Sequence, residues 1–141
     1  MTEFESKLDG MLFSLMSWDQ LTAFWLRIDP DARWYIYAVG QEVPTAPASS
    51  EQVKVFLREI DTLLRREHEE NYCGIVYADD LQQPHFIKIY DPNNLGVSCG
   101  SSKVKVLPGW VMSQVAPVEL QARAVPASRT RWWQALLTHA S

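Results

Sequence analysis

The apolar positions begin with a helical repeat. Phe4, Leu8, Met11, Leu12 and Leu15 recur at three- and four-residue spacing, and Leu21, Phe24, Trp25 and Ile28 continue the stripe. Two helix starts stand inside this stretch. Thr2 with Glu5, and Ser17 with Gln20, have the form of a capping box, in which the first and fourth residues satisfy each other's backbone N–H groups. Residues 3–27 are therefore predicted as one broken helix or two short ones, ending before Asp29-Pro30.

The pattern then changes. RWYIYAV (33–39) is aromatic and β-branched, as a strand requires, and Gly40 ends it. EVPTAPASS follows as a loop. Ser49 and Gln52 open the clearest helix, with Val53, Phe56, Leu57, Ile60, Leu63 and Leu64 on one face. Lys54, Arg58, Asp61 and Arg65 make the opposite face, expected to be solvated, and the helix should end near His68 to Asn71. YCGIVYA (72–78) and HFIKIY (85–90) flank DDLQQP and read as a hairpin. KVKVL (103–107) and WVMSQV (110–115) are further strands, and Ser128 is placed to cap a final helix, RTRWWQALLTHA.

This order predicts an α+β fold: a mostly antiparallel sheet of about four to five strands with N-terminal, central and C-terminal helices packed on it. The β-α-β piece at 33–78 also admits parallel pairing through a right-handed crossover. A length of 141 residues fits one domain, divided into a helical segment 1–28, an α/β core 33–115 and a C-terminal helix 127–140.

Charge narrows the function classes. Residues 1–102 hold 8 basic and 16 acidic side chains, whereas 103–141 hold 5 basic and 1 acidic. An acidic body argues against nucleic-acid binding, which needs a basic face. No stretch of 18 apolar residues spans a membrane, and MTEFESKLDG lacks the features of a signal peptide. With 2 cysteines, a cytoplasmic location with reduced thiols is expected.

Candidate chemistry crowds NYCGIVYADDLQQPHFIKIYDP (71–92). Cys73 as thiolate and His85 as base, oriented by Asp91, would form a nucleophilic site if they came within hydrogen-bond reach. A hairpin with Ala78 opposite His85 keeps Cys73 and His85 roughly 16 Å apart, and His85 and Asp91 about 20 Å apart, at the rise of a β-strand. Cys73 then reads as a buried hydrophobe, and His85 as a local partner of Asp79 or Asp80. Both faces of this hairpin are largely apolar and need cover.

Two regions remain. The loop with Asn93, Asn94, Gly96, Cys99, Gly100 and Ser101 could admit a ligand to its backbone, with Cys99 as nucleophile and Asp91 beside it. The terminal helix carries Arg129, Arg131, Trp132 and Trp133, residue types typical of protein interfaces. No His or Cys pair has metal-ligand spacing, so neither metal nor cofactor is expected. The expectation is a non-enzymatic domain that binds a protein partner or a copy of itself. A small-molecule or thiol enzyme built on the Cys99 loop is the alternative.

Overall fold

A computed structural model describes residues 2–94, 106–120 and 127–140. Three helices start where the sequence signals them. Thr2, Ser17 and Ser49 each close a capping box, opening α1 (Glu3–Leu8), α2 (Trp18–Trp25) and α3 (Ser50–Glu67). At Ser49 the reciprocal bonds are 2.8 Å to the Gln52 side chain and 3.1 Å back from the Gln52 N–H. Such a cap is worth about 1 kcal/mol. The fourth helix, α4 (Ala127–Ala140), begins one residue before Ser128, so Ser128 lies inside it and not at its cap.

Between α1 and α2 the chain is not helical. Phe13–Leu15 is strand β1, joined in the sheet by β2 (Tyr35–Ala38), β3 (Val76–Ala78), β4 (Phe86–Ile89) and β5 (Trp110–Ser113). The order is β1-β3-β4-β5-β2, and each neighbouring pair is antiparallel. The protein is thus an α+β fold with a five-stranded antiparallel sheet and four helices among the described residues. Parallel pairing across 33–78 does not occur. β2 pairs with β5 at the far edge, and β4 and β5 separate it from β3. Of the strand expected at 103–107, residues 103–105 lie outside the described residues, and 106 and 107 are not in a strand.

The sheet has two apolar faces, and both are roofed by this chain. One face presents Leu15, Ile36, Ala38, Val76, Ala78, Ile87, Ile89, Trp110 and Met112 to Leu21 and Phe24 of α2 and to the α3 stripe. The other presents Tyr37, Phe86 and Val111 to Phe4 and Leu8 of α1. Leu107, Val115, Val118 and Leu120 extend the second cover. Phe4 meets Phe86 edge-on at 5.6 Å between ring centres. A buried phenylalanine of this kind contributes about 1.5–3 kcal/mol through burial.

This arrangement explains why the predicted N-terminal helix is interrupted. α1 lies on one face and α2 on the other, so the chain between them must round the sheet's edge. Asp9-Gly10 stops α1, and the connecting residues add to that edge as β1.

The hairpin pairs two residues away from the predicted register. Val76 faces Ile89, and Ala78 faces Ile87 rather than His85. A shift of two leaves every side chain on its expected face. The turn chemistry sets the offset. The Asp79 carboxylate accepts the N–H groups of His85 (2.9 Å) and Phe86 (3.0 Å). Asp80 accepts those of Gln82 (2.7 Å) and Gln83 (3.0 Å), and these backbone donors, Gln83 first, pull its pKa below the usual carboxylate value. The eight residues between the last paired positions, Ala78 and Ile87, are thereby held as a closed loop.

Asp79→Ala leaves two backbone donors without their acceptor. We expect a loss of about 1–3 kcal/mol, read from the urea midpoint, whereas Asp79→Asn, which keeps a carbonyl oxygen, should lose less. Equal losses would show that the turn does not depend on that oxygen.

Candidate functional site

Asp91 and Arg129, expected in different sites, come together. Arg129 lies in the first turn of α4, Glu67 is the last residue of α3, and Asp91 follows β4. Arg129 Nε donates to Asp91 Oδ2 at 2.7 Å, and its Nη2 reaches Asp91 Oδ1 at 2.9 Å. The same guanidinium meets Glu67 through Nη2 at 2.7 Å and Nη1 at 3.2 Å. Their side chains are 11% (Arg129), 19% (Glu67) and 14% (Asp91) exposed. Asn93 adds its amide to Glu67 at 2.6 Å and its N–H to Asp91 at 2.9 Å. Gly109 makes room for this corner, since a Cβ there would come within 3.1 Å of Asp91 Cβ.

Helix polarity explains why this pairing is firm. Glu67 stands at the negative end of α3 and Arg129 at the positive end of α4, each at the unfavourable end of its own helix. The clasp answers both. Arg129 holds the Glu67 carboxyl down at about 2, and Asp91 first, then Glu67, raises the guanidinium's pKa. Both Asp91 oxygens are occupied, so Asp91 is a structural anion in this arrangement. Arg129 is likewise held inside the fold.

The neighbouring tryptophans also pack inward. Trp132 meets Trp110 of β5 at 5.6 Å, and Trp133 meets Phe56 of α3 at 6.0 Å, both edge-on. Leu136 is buried beside them, while Arg131 remains exposed. Of the four α4 residues expected to face a partner, three therefore contribute contacts to the protein's own core or clasp.

Cys73 and His85 do not meet. The shifted register moves His85 two further residues along the ladder from Cys73. Cys73 is buried, and desolvation raises its thiol pKa, the opposite of what a nucleophile needs. Gly74 follows it at φ +67, a left-handed conformation that turns the chain into β3. His85 is half exposed, with Nδ1 3.6 Å from Asp79 Oδ2, near but beyond hydrogen-bond length.

His68, by contrast, is buried and bonded through Nε2 to the Cys73 carbonyl at 2.9 Å. Arg65 and Asp61, expected on a solvated face, instead lace α3 to α2. Arg65 sits 5.2 Å over the Trp18 ring and donates to Thr22 at 2.7 Å, and Trp25 Nε1 donates to Asp61 at 3.1 Å. Asn93 and Asn94 form a short 3-10 turn with Pro92. Gly96, Cys99, Gly100 and Ser101 lie outside the described residues. Among the described residues, no three His, Cys, Asp or Glu side chains group as metal ligands, and no helix is long and apolar enough to cross a membrane.

Known family models, curated proteins and solved structures offer no match to this chain.

The feature that sequence reasoning missed is the β1 edge. Met11 is 82% exposed, Phe13 48% and Met16 54%. Tyr72, 50% exposed, precedes Cys73, whose N–H bonds to the Met16 carbonyl at 2.8 Å. Residues 10–18, GMLFSLMSW, contain no charge and no proline. Edge strands are ordinarily guarded by such residues. At the opposite edge, all four residues of β2 are buried. The signal was present as an uncharged run between a helix stop and a second capping box, but helical spacing concealed it.

The clasp makes a pH-dependent contribution. Arg129→Ala should cost about 2–4 kcal/mol at neutral pH, because it strands two carboxylates in a largely buried corner. Glu67→Gln should be destabilising above the ordinary carboxyl value of 4.5, with the difference from wild type shrinking as pH falls toward 2. The sign follows from a folded pKa below the unfolded one: the stabilisation is complete above the unfolded value and lost through the folded value. Urea midpoints across that range measure it.

Proposed function

We propose that the chain is a protein-interaction domain that acts by binding rather than catalysis, with the β1 edge as its contact surface. The carrying observation is the concentration of exposed Met11, Phe13, Met16 and Tyr72 along an uncharged strand edge. An open edge offers backbone donors and acceptors to another strand, and flanking apolar side chains supply the burial that makes such pairing favourable. The candidate catalytic residues point the same way. Asp91 is committed to Arg129, and Cys73 is a buried thiol of raised pKa. The acidic body disfavours nucleic acid as the partner. The reading places the protein in the cytoplasm, where thiols stay reduced.

A photoreactive phenylalanine analogue at position 13 tests this reading in cells, with the exposed α3 position Lys54 as control. We expect protein adducts at position 13 in clear excess over those at 54. Equal yields would remove the basis for the edge as an interaction site.

The thiol-enzyme alternative predicts a Cys99 that reacts faster than an ordinary thiol of pKa about 8.5. On the binding reading, Cys99 reacts no faster than an ordinary thiol, and buried Cys73 reacts only on unfolding. A hyper-reactive Cys99 would favour the enzyme.

A further inference from the structure

We infer that the occupant of the β1 edge is an apolar strand of another protein, flanked by lysine or arginine. This rests on the interaction reading above and gives the partner its chemistry.

Backbone directions show where such a strand lies. Asp79 N–H bonds to the Phe86 carbonyl, and Tyr90 N–H bonds to the Ile75 carbonyl. Residues 75, 77 and 79 therefore turn their peptide groups toward β4, so Val76 and Ala78 turn theirs toward Leu15 and Phe13 of β1. Ser14, between those two, turns its N–H and C=O away from β3. Met16 ends the ladder, because its N–H goes to the Gln20 side chain at 3.0 Å and its carbonyl to Cys73 N–H at 2.8 Å. Backbone pairing is thus short, and the exposed side chains of Met11, Phe13, Met16 and Tyr72 carry most of the contact. Six extended residues reach roughly 20 Å, so an apolar run of about five or six residues covers positions 11–16.

The charges around this strip identify the partner's flanks. Residues 10–18 carry no charge themselves. At the Met16 end Asp19, Glu69 and Glu70 are exposed, and the Glu70 carbonyl receives Trp18 Nε1 at 3.2 Å. No ion pair joins any of the three to a described residue. Arg65, over the Trp18 ring, is answered by Asp61 at 3.0 Å. At the Phe13 end stand Asp9, Asp79 and Asp80, with Lys7 4.0 Å from Asp79 and Arg27 bonded to the Leu81 carbonyl. Both ends of the strip are therefore acidic on balance, the Met16 end more strongly.

An uncharged strip between acidic ends discriminates among occupants. A second copy of this chain brings carboxylates to carboxylates in either sense. Antiparallel pairing sets Asp19, Glu69 and Glu70 against Asp9, Asp79 and Asp80, and parallel pairing sets each group against itself. An apolar strand flanked by lysine or arginine meets opposite charge instead, and natural sequences commonly place such guarding charges beside apolar strands. Exposed ion pairs of this kind each add about two- to fivefold in affinity, and they set encounter rate and selectivity more than strength. With a three-residue strand, the contact belongs to the small, transient class.

A random peptide library displayed on phage and selected against the full chain tests the inference. The selected peptides should share an apolar, β-branched run with lysine or arginine at its flanks. Phe13→Ser should weaken them about tenfold, and rising salt should weaken them further. The charge-swapped variant Asp19→Lys/Glu69→Lys/Glu70→Lys should select acidic flanks in place of basic ones. Glu69→Lys/Glu70→Lys alone serves if the triple variant does not keep the wild-type melting temperature. Peptides that depend on Phe13 but show no basic excess, or the same flanks after the swap, would overturn the basic partner and leave the interaction reading standing. Basic peptides indifferent to Phe13→Ser would overturn it too, since charge alone would then hold them. Reversible self-association in sedimentation velocity that Phe13→Ser abolishes would put a second copy on the edge and overturn the foreign strand. A library that yields no binding peptide would overturn the inference, and equal cross-linking at positions 13 and 54 would remove the interaction reading with it.

Discussion

A sheet with two apolar faces has to be covered twice, and here one chain does so from both of its ends. α1 seals one face with Phe4 and Leu8, while α2, α3 and α4 seal the other. Most of the remaining architecture follows. The crossing from α1 to α2 must pass around an edge, and the residues that make the crossing become β1. The segment from 114 to 120 joins the thinner cover, where the Tyr37 hydroxyl accepts the Leu120 N–H at 3.1 Å. Both hairpin faces are thus closed from within.

The second organising interaction is the Arg129 clasp. α4 has few apolar anchors, namely Trp132, Trp133 and Leu136. The guanidinium adds a directional hold by gripping the end of α3 and the end of β4 together. Such a network weakens if one member is removed, because the others are left partly desolvated without compensation. It also commits Asp91 and Arg129 to each other in this arrangement. Their appearance as functional candidates came from residue type, and their role is set by three chain segments meeting at one corner.

Much was legible locally. The capping boxes at Thr2, Ser17 and Ser49 depend on contacts three residues apart, so they can be read from a short window. The amphipathic stripe of α3 and the faces of the hairpin follow from periods of 3.6 and 2. The exclusion of a Cys73–His85 dyad also held, because strand rise bounds their approach whatever the turn does. Less legible was β1, whose Leu8, Met11, Leu12 and Leu15 spacing fits a helix. Nothing in that window states that α1 and α2 will lie on opposite faces.

The sequence alone determined the elements whose bonds are local: the capped helices, the strand pattern of 33–39 and 72–90, and the α+β class they imply. Tertiary structure decided what depends on residues far apart in the chain. It placed β2 beside β5, joined Asp91 and Glu67 to Arg129, and turned Asp61 and Arg65 toward the tryptophans of α2. It also put β1 at one end of the strand order. Short-range periodicity records which side of an element is apolar, but not which neighbour will cover it. That choice is made only when the whole chain competes to bury both faces of a single sheet.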